Sequence, residues 1–207
     1  MAAGMMPGIT AESLASSSFA GRRALRRALL ERRLALPNDE WERLSAIVCT
    51  RLRDGFRRFS GMRVAFCWPV NKEPDLRPVI AQWASEQHPG FTALLPVVID
   101  ESSALRFRAW SPATPMRADR HGIPTPASGD FLVPQALLLP VNGFDAAGYR
   151  IGYGGGYFDR TLPGLAPRPL VVGVGFELAR LDSIRPEAHD QPLDVMVTEA
   201  GIFRPSR

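Results

Sequence analysis

The sequence is poor in cysteine, histidine and lysine. Its 207 residues include two cysteines, three histidines and a single lysine, Lys72. Cys49 and Cys67 stand in apolar surroundings without the spacing of metal ligands, and the histidines lie far apart in the chain. The sequence therefore carries no local motif for a metal site or a disulfide.

Long apolar runs are missing as well. No segment approaches the roughly 20 apolar residues of a membrane-spanning helix. The first 20 residues are small and rich in Ser and Ala, but they lack the apolar centre of a secretory signal. We expect a soluble, cytoplasmic protein in which residues 1–20 form a flexible extension. A transit peptide is the alternative for this segment.

The excess of basic over acidic residues is small, but it is unevenly placed. Arg and Lys number 25 against 21 Asp and Glu, which gives a formal charge of +4. The arginines crowd between residues 21 and 63, which favours anionic partners such as phosphate-bearing ligands, polyacids or nucleic acid. Arginine-rich helices are also often only solvated surfaces. The charge by itself does not choose among these possibilities.

Apolar periodicity and turn residues predict a chain of short elements. Hydrophobic residues make up 45% of the sequence, with 19 prolines and 18 glycines among them, so we expect one compact domain over residues 21–207. A stretch rich in Leu, Ala and Arg predicts a helix over residues 18–36 that ends at Pro37. Asn38 is the predicted N-cap of a second helix, which runs to about Gly55.

Six apolar segments predict strands. They span residues 62–68, 91–99, 105–110, 131–141, 170–176 and 195–198. Residues 137–140 and 171–175 are nearly continuous apolar runs, which are typical of strands buried on both faces by helices. The candidate crossover helices cover residues 75–85 and 157–162. The expected fold is a single three-layer α/β domain with a mostly parallel central sheet and helices on both faces, similar to Rossmann folds.

A glycine-rich segment lies between a predicted strand and a predicted helix. It reads Arg150-Ile-Gly-Tyr-Gly-Gly-Gly-Tyr-Phe-Asp-Arg160. Glycines let backbone N–H groups approach phosphate oxygens closely, and the following helix terminus adds a positive dipole. Arg150 can add a permanent charge, and Asp159 can hold a bridging Mg²⁺. The segment therefore suits a polyphosphate ligand.

The same segment also has a purely structural interpretation. In that case the glycines only permit a tight turn, Tyr153 and Tyr157 pack, and Asp159 pairs with Arg160. The segment is not a Walker motif, because Gly156 is followed by a tyrosine and not by Lys-Ser or Lys-Thr.

Read as a whole, residues 143–160 closely resemble the hallmark segment of the 5-formyltetrahydrofolate cyclo-ligase family. Weaker features of that family follow the right order in this chain. Residues 22–26 resemble its basic N-terminal helix, in which two cations four residues apart bind ATP phosphates. Residues 70–75 resemble the segment whose glutamate contacts folate, residues 121–126 resemble a Gly-Ile-Pro-Glu-Pro turn, and residues 187–195 resemble a late His-Asp segment.

The resemblance implies a role for each matching residue. The implied ATP-binding residues are Arg22, Arg26, Arg150, Gly152, Tyr153, Gly154, Gly155, Gly156 and Tyr157. The implied folate-binding residues are Glu73, Tyr153, Gly154, Gly155 and Gly156. Arg150 and Tyr157 are the expected catalytic residues, and Asp159 and Asp190 are the expected Mg²⁺ ligands. His189 is expected to be a structural residue.

The chain departs from the family pattern at four positions. Arg22 replaces a lysine, Leu76 a threonine, Thr125 an acidic or amide residue, and Phe158 the second aromatic of a Tyr-Tyr pair. Because of Arg22, Leu76 and Thr125, one alternative is a relative that binds nucleotide but serves another pathway or lacks turnover. A basic nucleic-acid-binding module is another.

The resemblance implies conversion of 5-formyltetrahydrofolate to 5,10-methenyltetrahydrofolate, with hydrolysis of ATP to ADP and phosphate. An N-formyl oxygen is a bad leaving group, so its attack on the γ-phosphoryl group converts it into a phosphate that can depart. The neighbouring amine then closes the ring. The first step needs charge neutralisation and in-line positioning. The expected partners are reduced folate and Mg²⁺-ATP, with no nucleic acid and no membrane, and the expected state is a monomer.

Overall fold

The structure of the chain is a computed structural model that describes residues 19–205. Four α-helices form within these residues. They are α1 (Phe19–Leu34), α2 (Asn38–Gly55), α3 (Arg77–Ser85) and α4 (Tyr157–Thr161). Short 3-10 turns follow α2 and α4 and a third covers Glu177–Ala179. Both long helices and both crossover helices agree with the predicted segments. The predicted first residue of α1, Ser18, and most of the predicted extension over residues 1–20 lie outside the described residues.

The cap predicted for α2 is wrong. Asn38 is the first helical residue, and Pro37 occupies the cap position with φ −56° and ψ 152° and no side-chain cap bond. Pro37 takes this position because its fixed φ suits an extended residue just before a helix, and its carbonyl accepts the first helical bond from the Trp41 N–H at 2.9 Å. Helix α2 then buries Leu44, Val48 and Leu52 along one stripe, as the spacing predicts.

Eleven strands are present in the described part of the chain. Seven of them form one sheet: β1 (Arg63–Phe66), β2 (Thr92–Val97), β3 (Arg106–Ala109), β6 (Ala136–Pro140), β9 (Leu170–Val174), β10 (Val195–Val197) and β11 (Ile202–Phe203). The other four form two hairpins, β4 (Met116–Ala118) with β5 (Pro124–Pro126), and β7 (Gly143–Phe144) with β8 (Arg150–Ile151). All six predicted strands occur.

The large sheet has the order β11-β10-β9-β6-β1-β2-β3. Its five inner strands are parallel, and only the edge strands β3 and β11 are antiparallel. This arrangement confirms the mostly parallel α/β fold. The segment predicted as one strand over residues 131–141 contributes only the five residues Ala136–Pro140. Pro134 lacks an N–H for the ladder, and Phe131 instead makes an isolated bridge to Arg108.

Alternating residues of the inner strands face two separate cores. In β6, Leu138 lies in the cluster with α2 and α3, whereas Leu137 and Leu139 lie in the cluster on the opposite face. Helix α4 and its following turn cover that opposite face, together with Phe144 of the β7–β8 hairpin. Because both faces are covered, the inner strands are apolar except for Arg63 and Thr92, the first residues of β1 and β2.

Strands β1 and β6 lie side by side at the point where the chain changes direction across the sheet. The connection after β1 leads to β2 on one side, and the connection after β6 leads to β9 on the other. In open α/β sheets, ligands bind outside the carboxyl ends of the strands at such a switch point. No helix within residues 19–205 is both long and apolar enough to cross a membrane.

Candidate functional site

A cavity of about 650 Å³ opens at this switch point. Its walls come from the segment after β1, the segment after β6, helix α1, the β4–β5 hairpin and the stretch around residue 190. The volume lies within the range of 300–1,000 Å³ that is typical of ligand pockets. The sheet topology therefore positions a site of suitable size for a small molecule.

Every residue that the sequence assigned to the site lines this cavity. These residues are Arg22, Arg26, Glu73, Arg150, Gly152, Tyr153, Gly154, Gly155, Gly156, Tyr157, Asp159 and Asp190. Four residues depart from the family pattern, and three of them, Arg22, Thr125 and Phe158, also line the cavity. The fourth, Leu76, is buried in the core beside α2 and α3. The fold thus brings together residues that span 168 positions in the chain.

The glycine-rich segment leaves the β7–β8 hairpin and enters α4. Gly154 and Gly156 have φ values of +96° and +64°, a backbone region that favours glycine. Helix α4 has only five residues, so the dipole expected from a following helix is reduced to little more than one turn. The loop's contribution to anion binding therefore depends on its backbone and on nearby arginines.

Arg26 of α1 lies against the loop at Gly154. A methyl group added at Gly154 would lie 3.3 Å from the Arg26 Cζ atom. The Arg26 Nε atom is buried and has no hydrogen-bond partner among the described residues. Burial, together with the charge of Arg22, lowers the pKa of this guanidinium. An unpartnered buried donor of this kind is suited to an anionic ligand, because binding would satisfy it.

Arg22 is committed to Asp190. Its Nη2 donates to Asp190 Oδ2 at 2.6 Å, and its Nε lies 3.3 Å from Glu187 Oε1. The hydrogen bond to Asp190 raises the pKa of Arg22. Burial alone would raise the pKa of Asp190, but the bonds from Arg22 and from the Glu187 N–H hold it below its usual value. Helix α1 is thereby tied to the segment near residue 190. His189 is exposed at the cavity edge, beside Glu187 and Asp190.

Arg150 makes a similar link on the opposite side of the loop. Its Nη2 donates to Asp159 Oδ1 at 2.8 Å, its Nη1 donates to the Gln191 carbonyl, and the Gln191 N–H also reaches Asp159. The structural interpretation of the loop paired Asp159 with Arg160. That pairing is wrong, since Arg160 donates to the Glu101 carbonyl and lies over the Tyr157 ring.

The residues fit a magnesium ion only as a nucleotide-bound ion. Within the described ranges, no group of three or more His, Cys, Asp or Glu side chains could hold a metal. Mg²⁺ is often bound by one or two carboxylates together with substrate phosphates and waters. Asp159 and Asp190 match that donor set. Each is also paired with an arginine, whose positive charge offsets part of the carboxylate's attraction for a cation.

Glu73 lies at the inner end of the cavity in a buried hydrogen-bond network. The Tyr153 hydroxyl donates to Glu73 Oε1 at 2.7 Å, and the Val70 N–H donates to Oε2 at 3.1 Å. Burial raises the pKa of Glu73, against the opposing effect of these bonds and of the nearby Arg33 charge. Arg33 Nη2 in turn donates to the Tyr153 hydroxyl at 2.6 Å.

The β4–β5 hairpin closes another side of the cavity. His121 Nε2 lies 3.1 Å from the Tyr157 hydroxyl, with the two rings edge to face. Thr125 is buried, and its hydroxyl donates to the Pro96 carbonyl at 2.8 Å. The hydroxyl that replaces the family's acidic or amide group is therefore already used by the protein.

Sequence reasoning missed Arg33 and His121 as parts of the site. Arg33 follows Arg26 by seven residues and Arg22 by eleven, spacings that place all three on one face of a helix. That spacing was available in the sequence, but α1 carries several other arginines. His121 is positioned by tertiary contacts that no local pattern shows.

The sheet and the cavity define a class of protein: an open, mostly parallel α/β fold with a cavity of ligand size at its topological switch point. Comparison with known proteins agrees in detail. The model of the 5-formyltetrahydrofolate cyclo-ligase family matches residues 18–199. The chain belongs to this family, which is a family of ligases.

Individual relatives support the same conclusion. The 5-formyltetrahydrofolate cyclo-ligase of Mycolicibacterium smegmatis is 30% identical over 185 residues, which cover 84% of this chain and 91% of the relative. The enzyme of that name from Haemophilus influenzae is 32% identical over 100 residues, which cover 45% of this chain and 54% of the relative. The solved structure of Aquifex aeolicus 5,10-methenyltetrahydrofolate synthetase superposes with a TM-score of 0.77 at 29% identity, over 90% of this chain and 93% of that one.

Proposed function

We propose that this protein converts 5-formyltetrahydrofolate to 5,10-methenyltetrahydrofolate, with ATP as co-substrate and release of ADP and phosphate. The observation that carries the proposal is that every residue that the family pattern assigns to the site lines the same cavity. Family membership and the names of its relatives support the same activity. Reduced folate and Mg²⁺-ATP are the proposed partners of a cytoplasmic monomer.

In the proposed reaction the formyl oxygen attacks the γ-phosphorus of ATP and the bond to the ADP oxygen breaks. The neighbouring amine then attacks the formyl carbon, phosphate departs and the amine proton is lost. The protein's task is to hold the two substrates in line and to offset phosphate charge. Arg26, Arg22 and the backbone from Gly152 to Gly156 are the proposed phosphate contacts.

Arg150 and Asp159 have a linked role in this proposal. Because Arg150 is bound to Asp159 and Gln191, it can orient the carboxylate as well as add positive charge near the phosphates. Asp159 and Asp190 are the proposed protein contacts of the Mg²⁺ that ATP carries, an ion that neutralises phosphate oxygens. Tyr157, held by His121, is the proposed aromatic contact beside the reacting groups.

Glu73 and Tyr153 are the proposed folate contacts. A buried carboxylate at the inner end of the cavity can accept hydrogen bonds from N–H groups of a heterocycle. The Tyr153 side chain contributes an aromatic surface, since about half of the residue is exposed. A planar ring system can stack on such a surface.

The proposal is tested by mixing the protein with Mg²⁺-ATP and 5-formyltetrahydrofolate and following the near-ultraviolet absorbance of the methenyl product. We expect an ATP-dependent signal that Glu73→Gln reduces at least tenfold, because that change replaces a charged acceptor by an amide. Glu31→Gln is the matched control, since Glu31 is exposed on α1 and pairs with Arg27. It should retain wild-type turnover.

Two other results would assign the protein differently. Retained ATP binding without methenyl product would indicate a family relative that acts in another pathway or lacks turnover, the alternative raised by Arg22, Leu76 and Thr125. Affinity for nucleic acid that falls steeply with salt would instead support the basic binding module. Folded protein that gives no ATP-dependent signal would reject the proposed activity.

A further inference from the structure

Arg33 is a buried cation that touches no carboxylate. The residue is 4% exposed, and none of the ion pairs within residues 21–205 includes it. Its Nε donates to the Asn71 carbonyl at 2.8 Å and its Nη1 to the Val141 carbonyl at 3.3 Å. Removing a guanidinium from water is costly unless its donors and its charge are compensated. Part of this compensation comes from the carboxylate of Glu73, which Arg33 reaches through the side chain of a third residue.

The third side chain is Tyr153. Arg33 can only donate hydrogen bonds, so at the 2.6 Å contact the Tyr153 oxygen must accept. The single hydroxyl proton of Tyr153 is then directed to Glu73 Oε1 at 2.7 Å. Burial, with the charge of Glu73, raises the pKa of this hydroxyl, so it stays a proton donor at neutral pH. Arg33 thus fixes the direction of the chain of bonds.

The other oxygen of Glu73 has its own donor, the Val70 N–H. A carboxylate with a donor on each oxygen is favoured over the neutral acid, whereas burial has the opposite effect. The network therefore opposes the tendency of the buried Glu73 to take up a proton.

We propose that Arg33 is a positioning residue that acts through the Tyr153 hydroxyl to keep Glu73 ionised and oriented as a hydrogen-bond acceptor for the folate substrate. The inference rests on the proposed function, because it names how the folate end of the same site is prepared. It also assigns the Tyr153 hydroxyl a role that a phenylalanine could not fill. The ring, held by its hydroxyl, is presented to the cavity in one orientation.

Several titratable and charged groups surround Glu73. Arg33 faces it from α1 and Tyr153 from the glycine-rich segment. Cys67 lies at the end of β1, where burial and the charge of Glu73 raise the pKa of its thiol. The Lys72 ammonium turns away to donate to the Leu36 carbonyl. Trp41 of α2 donates to the Glu73 carbonyl, which anchors the backbone and leaves the carboxylate to the ligand side.

The first test compares Tyr153→Phe with Tyr149→Phe. Tyr149 packs against the small apolar cluster that contains Leu25 and Leu29 of α1, and it is not among the residues that line the cavity. We expect Tyr153→Phe to lower kcat/KM for the folate about tenfold, mainly through KM. The loss should be larger at pH 6 than at pH 8, because Glu73 without its donor takes up a proton more readily. Tyr149→Phe should keep the wild-type pH profile.

The second test substitutes Arg33. Arg32→Met is the control, because Arg32 is exposed on the same helix. Arg33→Lys keeps the charge but loses the forked donors, so we expect a smaller loss of kcat/KM than for Arg33→Met. A loss of the same size for both variants, with the pH profile of the wild type, would show that Arg33 acts only in packing.

A measurement without substrate separates this inference from the proposed function. When folding raises the pKa of an acid group, the unfolding free energy falls as the pH rises from the pKa of the unfolded state, about 4.3 for glutamate, through the pKa of the folded state. For Tyr153→Phe that window widens, so its unfolding free energy in urea should fall further between pH 5 and pH 8 than that of the wild type or Tyr149→Phe.

The inference would be overturned if the unfolding free energy and kcat/KM of Tyr153→Phe depended on pH in parallel with those of the wild type. A second possible result is a steeper dependence of unfolding free energy on pH for Tyr153→Phe, while the wild-type protein makes no methenyl product. That result would reject the role toward folate and the proposed function. It would leave the effect of Tyr153 on the ionisation of Glu73 established.

Discussion

At the scale of single residues, the arginines in and beside the cavity differ in what they contact. Arg26 keeps a buried, unpartnered Nε, whereas Arg22 and Arg150 are each bound to an aspartate. Arg33 is bound to a hydroxyl and two carbonyls. The same residue type therefore serves as a candidate ligand contact in one place and as a structural and orienting group in the others.

The contacts of Arg150 predict a cost to stability when it is removed. Arg150→Ala removes the guanidinium donor from the Gln191 carbonyl and from Asp159, which keeps only the Gln191 N–H, and the Arg150 side chain is only 5% exposed. We expect the unfolding free energy to fall by about 2 kcal/mol in urea denaturation. The proposed turnover should fall as well, because Asp159 is no longer oriented.

A double-mutant cycle with Asp159→Asn isolates this pair. If the two aspartate and arginine changes add without coupling, the pair is not what stabilises the loop. Arg168→Ala provides a comparison, since Arg168 also pairs with an aspartate, Asp194, but is about half exposed. Its effect should stay below about 1 kcal/mol.

At the scale of elements, the strands that hydrophobic pattern could predict are those of the central sheet. Leu137 to Leu139 and Val171 to Val174 are apolar because both faces are covered, and such runs are visible without a structure. Strands β4, β5, β7 and β8 have two or three residues each. Their existence depends on pairing across a turn, which leaves little periodicity to read.

The site divides in the same way. The glycine-rich segment was identifiable because one continuous stretch carries it, and the helix that follows it was predicted, whereas the β7–β8 hairpin that precedes it was not. The hydrogen bonds of the site join residues such as Arg33 and Tyr153, which are 120 positions apart. Tertiary packing decides which arginine of α1 becomes buried and against which partner, so the arginines of this helix are equivalent candidates as long as only the sequence is known.

The conformation of the glycine-rich segment leads to a prediction for Gly154. Its φ of +96° strains any L side chain, and an added methyl would press on the Arg26 guanidinium at 3.3–3.4 Å. Gly154→Ala should cost about 1–2 kcal/mol in unfolding free energy and raise the KM for ATP in the proposed reaction. Gly164→Ala is the control, because Gly164 has no atom within 4 Å of an added methyl and no positive φ. A KM for ATP unchanged in Gly154→Ala would argue against a phosphate role for this part of the loop.

At the scale of the whole molecule, α1 closes the cavity without joining the sheet. Its apolar side contributes Leu25 and Leu29 to a small cluster with Ile151, Leu181 and Ile184. Its first turn is tied to the far end of the chain by Arg22, which contacts Asp190, Glu187 and the Arg185 carbonyl. This small cluster and one charged link hold two distant parts of the sequence around the ligand space.

The charged link predicts a pH-dependent contribution to stability. Because the folded pKa of Asp190 is held below its usual value, the link stabilises the fold above the unfolded pKa of about 3.9 and is lost as pH falls through the folded value. Arg22→Ala should therefore lower the unfolding free energy by about 1 kcal/mol at pH 7, and the difference from wild type should shrink in acid. Urea denaturation at pH 7 and at pH 3 measures both values.

The neighbouring Arg23→Ala separates this link from the general charge of the helix. Arg23 is exposed on the same turn of α1, so its removal changes net charge equally but breaks no contact with Asp190. It should have little effect at either pH. Hydrogen exchange adds the location: in Arg22→Ala, amides of both α1 and residues 185–191 should lose protection together, because each segment holds the other in place. Loss of protection in only one of them would mean that the cavity wall does not depend on this link between the two segments.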